Sequence, residues 1–399
     1  MDITIFPTKL SGTIHAIPSK SQAHRLLICA AFADAETTLI CPQTNQDIEA
    51  TADCLRSLGA DIVRTDSSYI VKPVKSLPKA TELHCRESGS TLRFILPIVG
   101  ALGIDSTFLL EGRLPYRPLS PLWEEMERWG CTLSRPTEST IRCTGKLQSE
   151  NFTIDGSVSS QFITGLLFAM ALMPSKCSLT ITGKLESKPY IEMTQAAMAQ
   201  FGVSTEQYIV SAGSRFISPK TLTVEGDWSN GAFFLAANAI GNKIDIKGLC
   251  EQSPQGDRTV ADILPLLRKG HAIVDSANIP DLVPILAVAA CAMHGATFTN
   301  ISRLRLKESD RVATVQEMLS QLGARTMATE NELHIYPAHY IGCTVNSACD
   351  HRIAMSAAIA ATIACGPVTI KDAQCVSKSY PAFWDEYRQL GGHYEQHIW

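Results

Sequence analysis

Lys20–Ile40, KSQAHRLLICAAFADAETTLI, carries the pattern on which the fold turns. Polar residues from Ser19 to Ser21 open a run of small aliphatics at helical spacing, with Lys20 at the mouth and Arg25 a turn further in. A turn follows, and TTLI then reads as a short strand. A Lys-Ser pair beside a helix start looks like a phosphate-binding loop, but the glycines of such a loop are missing.

The same pattern returns five times: SGSTLRFILPIVGALGIDSTFLL, SVSSQFITGLLFAMALMPSKCSLTI, DWSNGAFFLAANAIGNKIDIKG, PDLVPILAVAACAMHGATFTN and CDHRIAMSAAIAATIACGPVTIK. With Ser21, Ser90, Ser159, Ser229, Asp281 and Asp350 as markers, the spacings are 69, 69, 70, 52 and 69. A fixed period means one supersecondary unit reused. Between the markers lie TADCLRSLGADIVR, PLWEEMERWGCTLSR, TQAAMAQFGVSTEQ, VADILPLLRKGHAIV and ATVQEMLSQLGARTM. Each reads as an amphipathic helix, a glycine stop and a strand.

The repeating unit is therefore β-α-β-α-β-β, and six units split naturally as three plus three. The expected fold is α/β, with two pseudo-threefold domains, each an inside-out α/β barrel, joined by two crossovers. Gly226, just before the fourth helix, marks one crossing and the end of the first strand segment marks the other. That places residues 1–19 with 227–399 in one discontinuous domain and 20–226 in the second, with the active site expected in the cleft between them.

Composition narrows the class. The 399 residues are 45% hydrophobic and 19% charged, as in globular chains, and the net charge of -4 argues against a partner that needs a basic surface, nucleic acid above all. The thirteen cysteines are scattered singly through apolar segments with no C-x-x-C pair, so they read as reduced core residues and point to the cytoplasm. The start, MDITIFPTKLSG, lacks a basic region and a long apolar run, so no signal peptide is expected, and no window is long enough to span a bilayer.

A helix N-terminus carries unpaired N–H groups and about half a positive charge, so it attracts anions. The residues near the repeated starts agree. Lys20 and Arg25 flank the first and Arg93 follows Gly89 and Ser90 in the second. Ser159, Ser160 and Gln161 open the third, Asp281 the fifth, and Asp350, His351 and Arg352 the sixth. Elsewhere lie GRLPYRPL with Arg113 and Arg117, LESKPY, LRLKESDR and VSKSYP with Lys378. If KESDR is helical, Lys307 and Arg311 share a face and Glu308 pairs with Arg311. One such residue alone reads as a cap or a solvated side chain. Their joint recurrence at repeat starts points to a ligand with several anionic groups.

In order along the chain, SKSQAHRLL, ESGSTLRF, GRLPYRPL, GSVSSQFITGLL, LESKPYIEMT, LRLKESDR, DHRIAMSAA and SKSYPAFW resemble the motifs of the 5-enolpyruvylshikimate-3-phosphate synthases, a family of enolpyruvyl transferases. The resemblance covers essentially the whole chain. It implies transfer of the enolpyruvyl group of phosphoenolpyruvate to the 5-hydroxyl of shikimate 3-phosphate, with release of phosphate, no metal or organic cofactor, a monomer, and glyphosate as a competitor of phosphoenolpyruvate. It further implies that Lys20, Ser21, Arg25, Ser159, Ser160, Gln161, Ser187, Tyr190, Asp281 and Lys307 contact shikimate 3-phosphate. Lys20, Gly89, Arg117, Gln161, Arg311, Arg352 and Lys378 would contact phosphoenolpyruvate. Asp281 resembles the base for the 5-hydroxyl, and Glu308 and Lys20 resemble the groups that handle the proton at the methylene carbon.

Two positions depart from the commonest pattern. Glu87 stands where many members carry Asn, and Arg303 where others place Asn or another residue. The alternatives on the same scaffold are a transferase acting on UDP-N-acetylglucosamine and an RNA-terminus-processing relative. The first typically has Lys-Asn at the first helix and a loop cysteine where this chain has Lys20-Ser21 and GRLPYRPL.

Overall fold

The computed structural model describes residues 1–397, and the chain divides into two compact units. One is contiguous, Pro18–Val224. The other combines Met1–Ile17 with the chain from Glu225 onward.

The contiguous unit contains α1 (Lys20–Ala31), α2 (Gln46–Ser57), α3 (Gly89–Leu102), α4 (Leu122–Arg128), α5 (Ser160–Ala171) and α6 (Lys188–Gln200). Helices α1, α3 and α5 are buried along almost their whole length, whereas α2, α4 and α6 expose one side. A helix apolar all round needs cover on every side. The strands supply it: Cys131–Ser134 alternates buried and exposed residues, so one sheet face packs inward and the other meets water. Helices thus lie inside and sheets outside.

Each sheet follows one plan. Strands Ala80–Arg86 and Asp105–Leu110 run parallel on either side of α3, and Thr140–Gly145 and then Cys131–Ser134 extend the sheet antiparallel. Strands Asn151–Asp155 and Cys177–Thr182 repeat the parallel pair around α5, with only Ile209–Val210 added. In the third sheet, Thr37–Ile40 leads to Ser68–Lys72 and Asp61–Arg64, but its parallel partner is Thr221–Thr223, from the far end of the unit.

The discontinuous unit contains α7 (Trp228–Ala239), α8 (Val260–Lys269), α9 (Val283–Ala292), α10 (Arg311–Gln321), α11 (His351–Ala361) and α12 (Phe383–Gln389). Here α9 and α11 are the fully enclosed helices. Strands Ala272–Asp275 and Ala296–Thr299 are parallel and continue into Glu332–Ile335 and Thr326–Ala328. Strand Ser11–His15 pairs in parallel with Lys243–Lys247 in a two-stranded sheet. First strands are therefore exchanged. The strand before α1 joins the sheet after α7, and the strand before α7 joins the sheet after α1. Two chain crossings follow from that exchange.

Two features refine the repeat. The fourth copy lacks its terminal hairpin: after α8 the chain enters Ala272–Asp275, which belongs to the fifth sheet and not, as the sequence pattern implied, to the fourth. This is why that spacing is 52. The sixth sheet is completed by the chain's own start. Asp2–Phe6 lies between Val368–Lys371 and His393–His397, antiparallel to both. The expectation that cysteines are core residues holds for Cys29, Cys41, Cys54, Cys85, Cys131, Cys143, Cys177 and Cys291 but not for Cys250, Cys349 and Cys365, which are exposed; none of the thirteen is in a disulfide. Among the described residues, no helix is long and apolar enough to cross a membrane.

Candidate active site

In the contiguous unit the helix starts gather at one end. Ser19, Ser88 and Ser159 cap α1, α3 and α5 through their hydroxyls. The cap lies two residues ahead of the marker serine in the first two copies. Helical φ/ψ then begins at Lys20, Gly89 and Ser160, so these residues stand among the unpaired N–H groups.

Lys20 donates from Nζ to Asp47 Oδ2 at 2.8 Å; Asp47 lies in the first turn of α2. Gln161 bridges α5 to α3: its Nε2 donates to Ser90 Oγ at 3.0 Å and its Oε1 accepts from Arg93 Nη1 at 3.0 Å. Gly89 is backed by two guanidinium groups. A Cβ there would lie 2.6 Å from Arg93 Nη1 and 2.7 Å from Arg117 Nη1. Glycine is thus what lets both guanidinium groups lie against the start of α3.

Arg25 is almost fully buried. It donates to Ser21 O at 2.6 Å, Tyr190 O at 2.8 Å and Thr194 Oγ1 at 2.8 Å, and lies 5.1 Å from the Phe94 ring centre. Two of its five donors therefore tie α1 to α6, and a third bonds back within α1. Ser187 caps the entry to α6 in a left-handed conformation, with φ 55°, and is itself buried. Tyr190 follows in the first turn, half-buried.

In the discontinuous unit the site residues converge on Arg311. It is only 1% exposed and holds three carboxylates: Nη1 to Asp281 Oδ1 at 2.6 Å, Nη2 to Glu308 Oε2 at 2.6 Å, and Nε to Asp350 Oδ2 at 2.9 Å. Asp350 also caps α11 by accepting from Arg352 N. Asp281 meets Lys307 Nζ at 3.4 Å and Arg352 Nη2 at 3.4 Å. Burial alone would raise the Asp281 pKa, but Lys307, Arg352 and Arg311 together hold it well below the usual carboxylate range. Burial lowers the Lys307 ammonium to about 8; Asp281 pulls it back up, while Arg311 and Arg303 push it down. Arg303 thus acts on Lys307. Lys378 closes a 3-10 turn, Ala373–Lys378, packed on α11.

Two sequence expectations change. KESDR is not helical. Ser302–Leu306 is a 3-10 turn, Lys307 is extended, and α10 starts only at Arg311, because Asp310 caps it by accepting from the N–H groups of Val312 and Ala313. Glu308 and Arg311 still pair, across the bend. Asp281 does not open α9 as a cap: the helix starts at Val283 with Leu282 before it, and the Asp281 carboxylate faces the three cations instead.

Two acids of the site were not foreseen. Asp47 pairs with Lys20, and Asp257 accepts a hydrogen bond from Ser229, in the first turn of α7. The signal was present in the repeat, since each comes near the start of the helix that follows, in TNQD and PQGD. Burial, then the nearby Asp281 charge, raises the Asp257 carboxyl to about 7, against the opposing pull of Arg352.

The family model described as EPSP synthase (3-phosphoshikimate 1-carboxyvinyltransferase) matches residues 6–387. A 3-phosphoshikimate 1-carboxyvinyltransferase of Clostridium kluyveri is 37% identical over 99% of this chain and 98% of its own. One of Clostridioides difficile is 36% identical over 99% and 98%. Among solved structures, EPSP synthase from Acinetobacter baumannii superposes with a TM-score of 0.80 at 22% identity over all of both chains. The enolpyruvyl transferase NikO from Streptomyces tendae gives 0.74 at 17% over 99% and 98%. These two likenesses concern the fold.

Proposed function

The chain belongs to the EPSP synthase family, and on that premise we propose that it transfers the enolpyruvyl group of phosphoenolpyruvate to the 5-hydroxyl of shikimate 3-phosphate. The observation that carries the reading is the Asp281 carboxylate held against Arg311, Lys307 and Arg352.

Asp281 serves as the base. Its cations make it a weak one. The phosphate and carboxylate of phosphoenolpyruvate compete for Arg311 and Arg352 and so return basicity to Asp281. The methylene carbon takes a proton, with Lys20 and Glu308 as the candidate donors, and the neighbouring carbon becomes electron-poor. The 5-hydroxyl oxygen bonds to that carbon as its proton passes to Asp281. The tetrahedral adduct then breaks its C–O bond to phosphate and returns a methyl proton to the group that donated one, giving the enolpyruvyl ether and inorganic phosphate.

Preorganised cations and helix N–H groups hold the charge throughout. Arg117, Gly89, Gln161, Arg311, Arg352 and Lys378 take the phosphoenolpyruvate side. Ser21, Arg25, Ser159, Ser160, Ser187, Tyr190 and Lys307 take shikimate 3-phosphate. We read the protein as a cytoplasmic monomer with small-molecule partners.

The test is phosphate release from phosphoenolpyruvate with and without shikimate 3-phosphate. Release that depends on both substrates is expected, and its absence overturns the reading. Asp281→Asn should lower kcat by about a hundredfold or more while shikimate 3-phosphate still binds; near-normal turnover would remove Asp281 from the base role.

A further inference from the structure

Gly112 has φ +55°, and a Cβ on it would lie 2.5 Å from both Cδ and Oε1 of Glu87. The Glu87 carboxyl therefore lies flat on the glycine of the loop that carries Arg113 and Arg117. That loop is pinned elsewhere. Glu111 N donates to Arg86 O at 2.8 Å, Leu114 is buried in the core, and Pro118 O accepts from Arg93 Nη2 at 2.9 Å. Between the first two pins the exposed Gly112-Arg113 segment meets Glu87. Glu87 itself precedes the Ser88 cap of α3 and stands two residues from Gly89, which Arg117 backs.

We propose that Glu87 is a positioning residue for the phosphoenolpyruvate side of the site: it packs on Gly112 and fixes the loop that aims Arg117 at Gly89. This rests on the functional reading above. Packed against Gly112, Glu87 holds the loop, and with it the cation, in place. Glycine is required at 112 twice over, for its left-handed backbone and for the space that Glu87 occupies.

The experiment compares Glu87→Ala, Glu87→Gln, Gly112→Ala and the Glu87→Ala/Gly112→Ala double variant. Positioning predicts that Glu87→Ala raises KM for phosphoenolpyruvate about five- to tenfold, with kcat and KM for shikimate 3-phosphate within about twofold, because only the loop has moved. Glu87→Gln keeps the packing and should stay within about threefold of wild type. Gly112→Ala should raise the same KM, and the double variant should be less than additive, since the added methyl fills vacated space. Unchanged or lower KM in both Glu87 variants would show mere repulsion and overturn the proposal, as would strict additivity.

A second readout needs no activity. Trypsin can cut Arg113–Leu114 but not Arg117–Pro118. Cleavage at Arg113 should accelerate several-fold in Glu87→Ala and much less in Glu87→Gln; equal rates in all three proteins would also overturn the proposal. If wild type shows no turnover, the functional reading fails while the proteolysis still decides whether Glu87 fixes the loop.

Discussion

Arg311 fills three roles with one planar group, and lysine cannot reproduce them. A guanidinium presents a fixed fork of donors, whereas an ammonium is a point charge. Arg311→Lys should leave at least one of Asp281, Glu308 and Asp350 without its charged partner. Breaking a buried pair costs about 3–5 kcal/mol, so thermal melting should fall by several degrees along with turnover; an unchanged melting temperature would contradict this account. Lys307 gives a pH signature. Its ammonium, lowered to about 8, is lost as pH rises through that value. Activity at low shikimate 3-phosphate should therefore fall above about pH 8, and Lys307→Arg should move that limb upward. If the limb stays in place, another group causes it. His24 works in the opposite direction. It is fully buried, bonded through Nδ1 to Thr51 Oγ1 at 2.7 Å, and burial depresses its pKa to about 3. Its folded pKa lies below the unfolded value, so its contribution is present above about pH 6.5 and is lost as pH falls toward 3. Denaturant midpoints measured between pH 7 and 4 should decline less in His24→Asn than in wild type.

At the scale of the helix pair, α3 and α5 approach unusually closely for a reason written in both sequences. Pro97, which has no N–H, lies four residues after Arg93 in α3. Gly165 of α5 lies against the Arg93 carbonyl, and a Cβ there would collide with it. The contact fixes the height of Arg93, whose guanidinium reaches Gln161 and Pro118. Gly165→Ala should cost about 1–3 kcal/mol from overpacking and raise KM for phosphoenolpyruvate through the displaced Arg93; a variant as stable and as tight-binding as wild type would refute this role. The amphipathic and Ala-rich helices were legible from periodicity, because burial repeats along a helix. LKESDR was not, because its charges fit a helix face equally well. Asp310 decides the matter by taking the cap position, which is a local hydrogen-bond choice with no period.

At the scale of the molecule, the six-copy pattern led directly to three sheets per unit, but not to which strand completes which sheet. Residues 18–224 hold all three of their sheets, so this fragment should fold alone, with a single cooperative urea transition. A fragment starting at 225 lacks Asp2–Phe6, the strand between Val368–Lys371 and His393–His397. It should show no cooperative transition until residues 1–17 are restored. Cooperative melting of the fragment without them would show that the N-terminal strand is dispensable.

The period, most of the helix starts and the charges beside them are legible in residue order, since caps, glycine stops and apolar spacing are local. The exchange of first strands, the completion of the sixth sheet by the N-terminus, and the placing of Asp47, Asp257 and Asp350 beside Lys20, Ser229 and Arg311 emerge only in three dimensions. A strand does not encode its partner, and a carboxylate does not encode its cation. Both are settled where distant segments must bury the same surface.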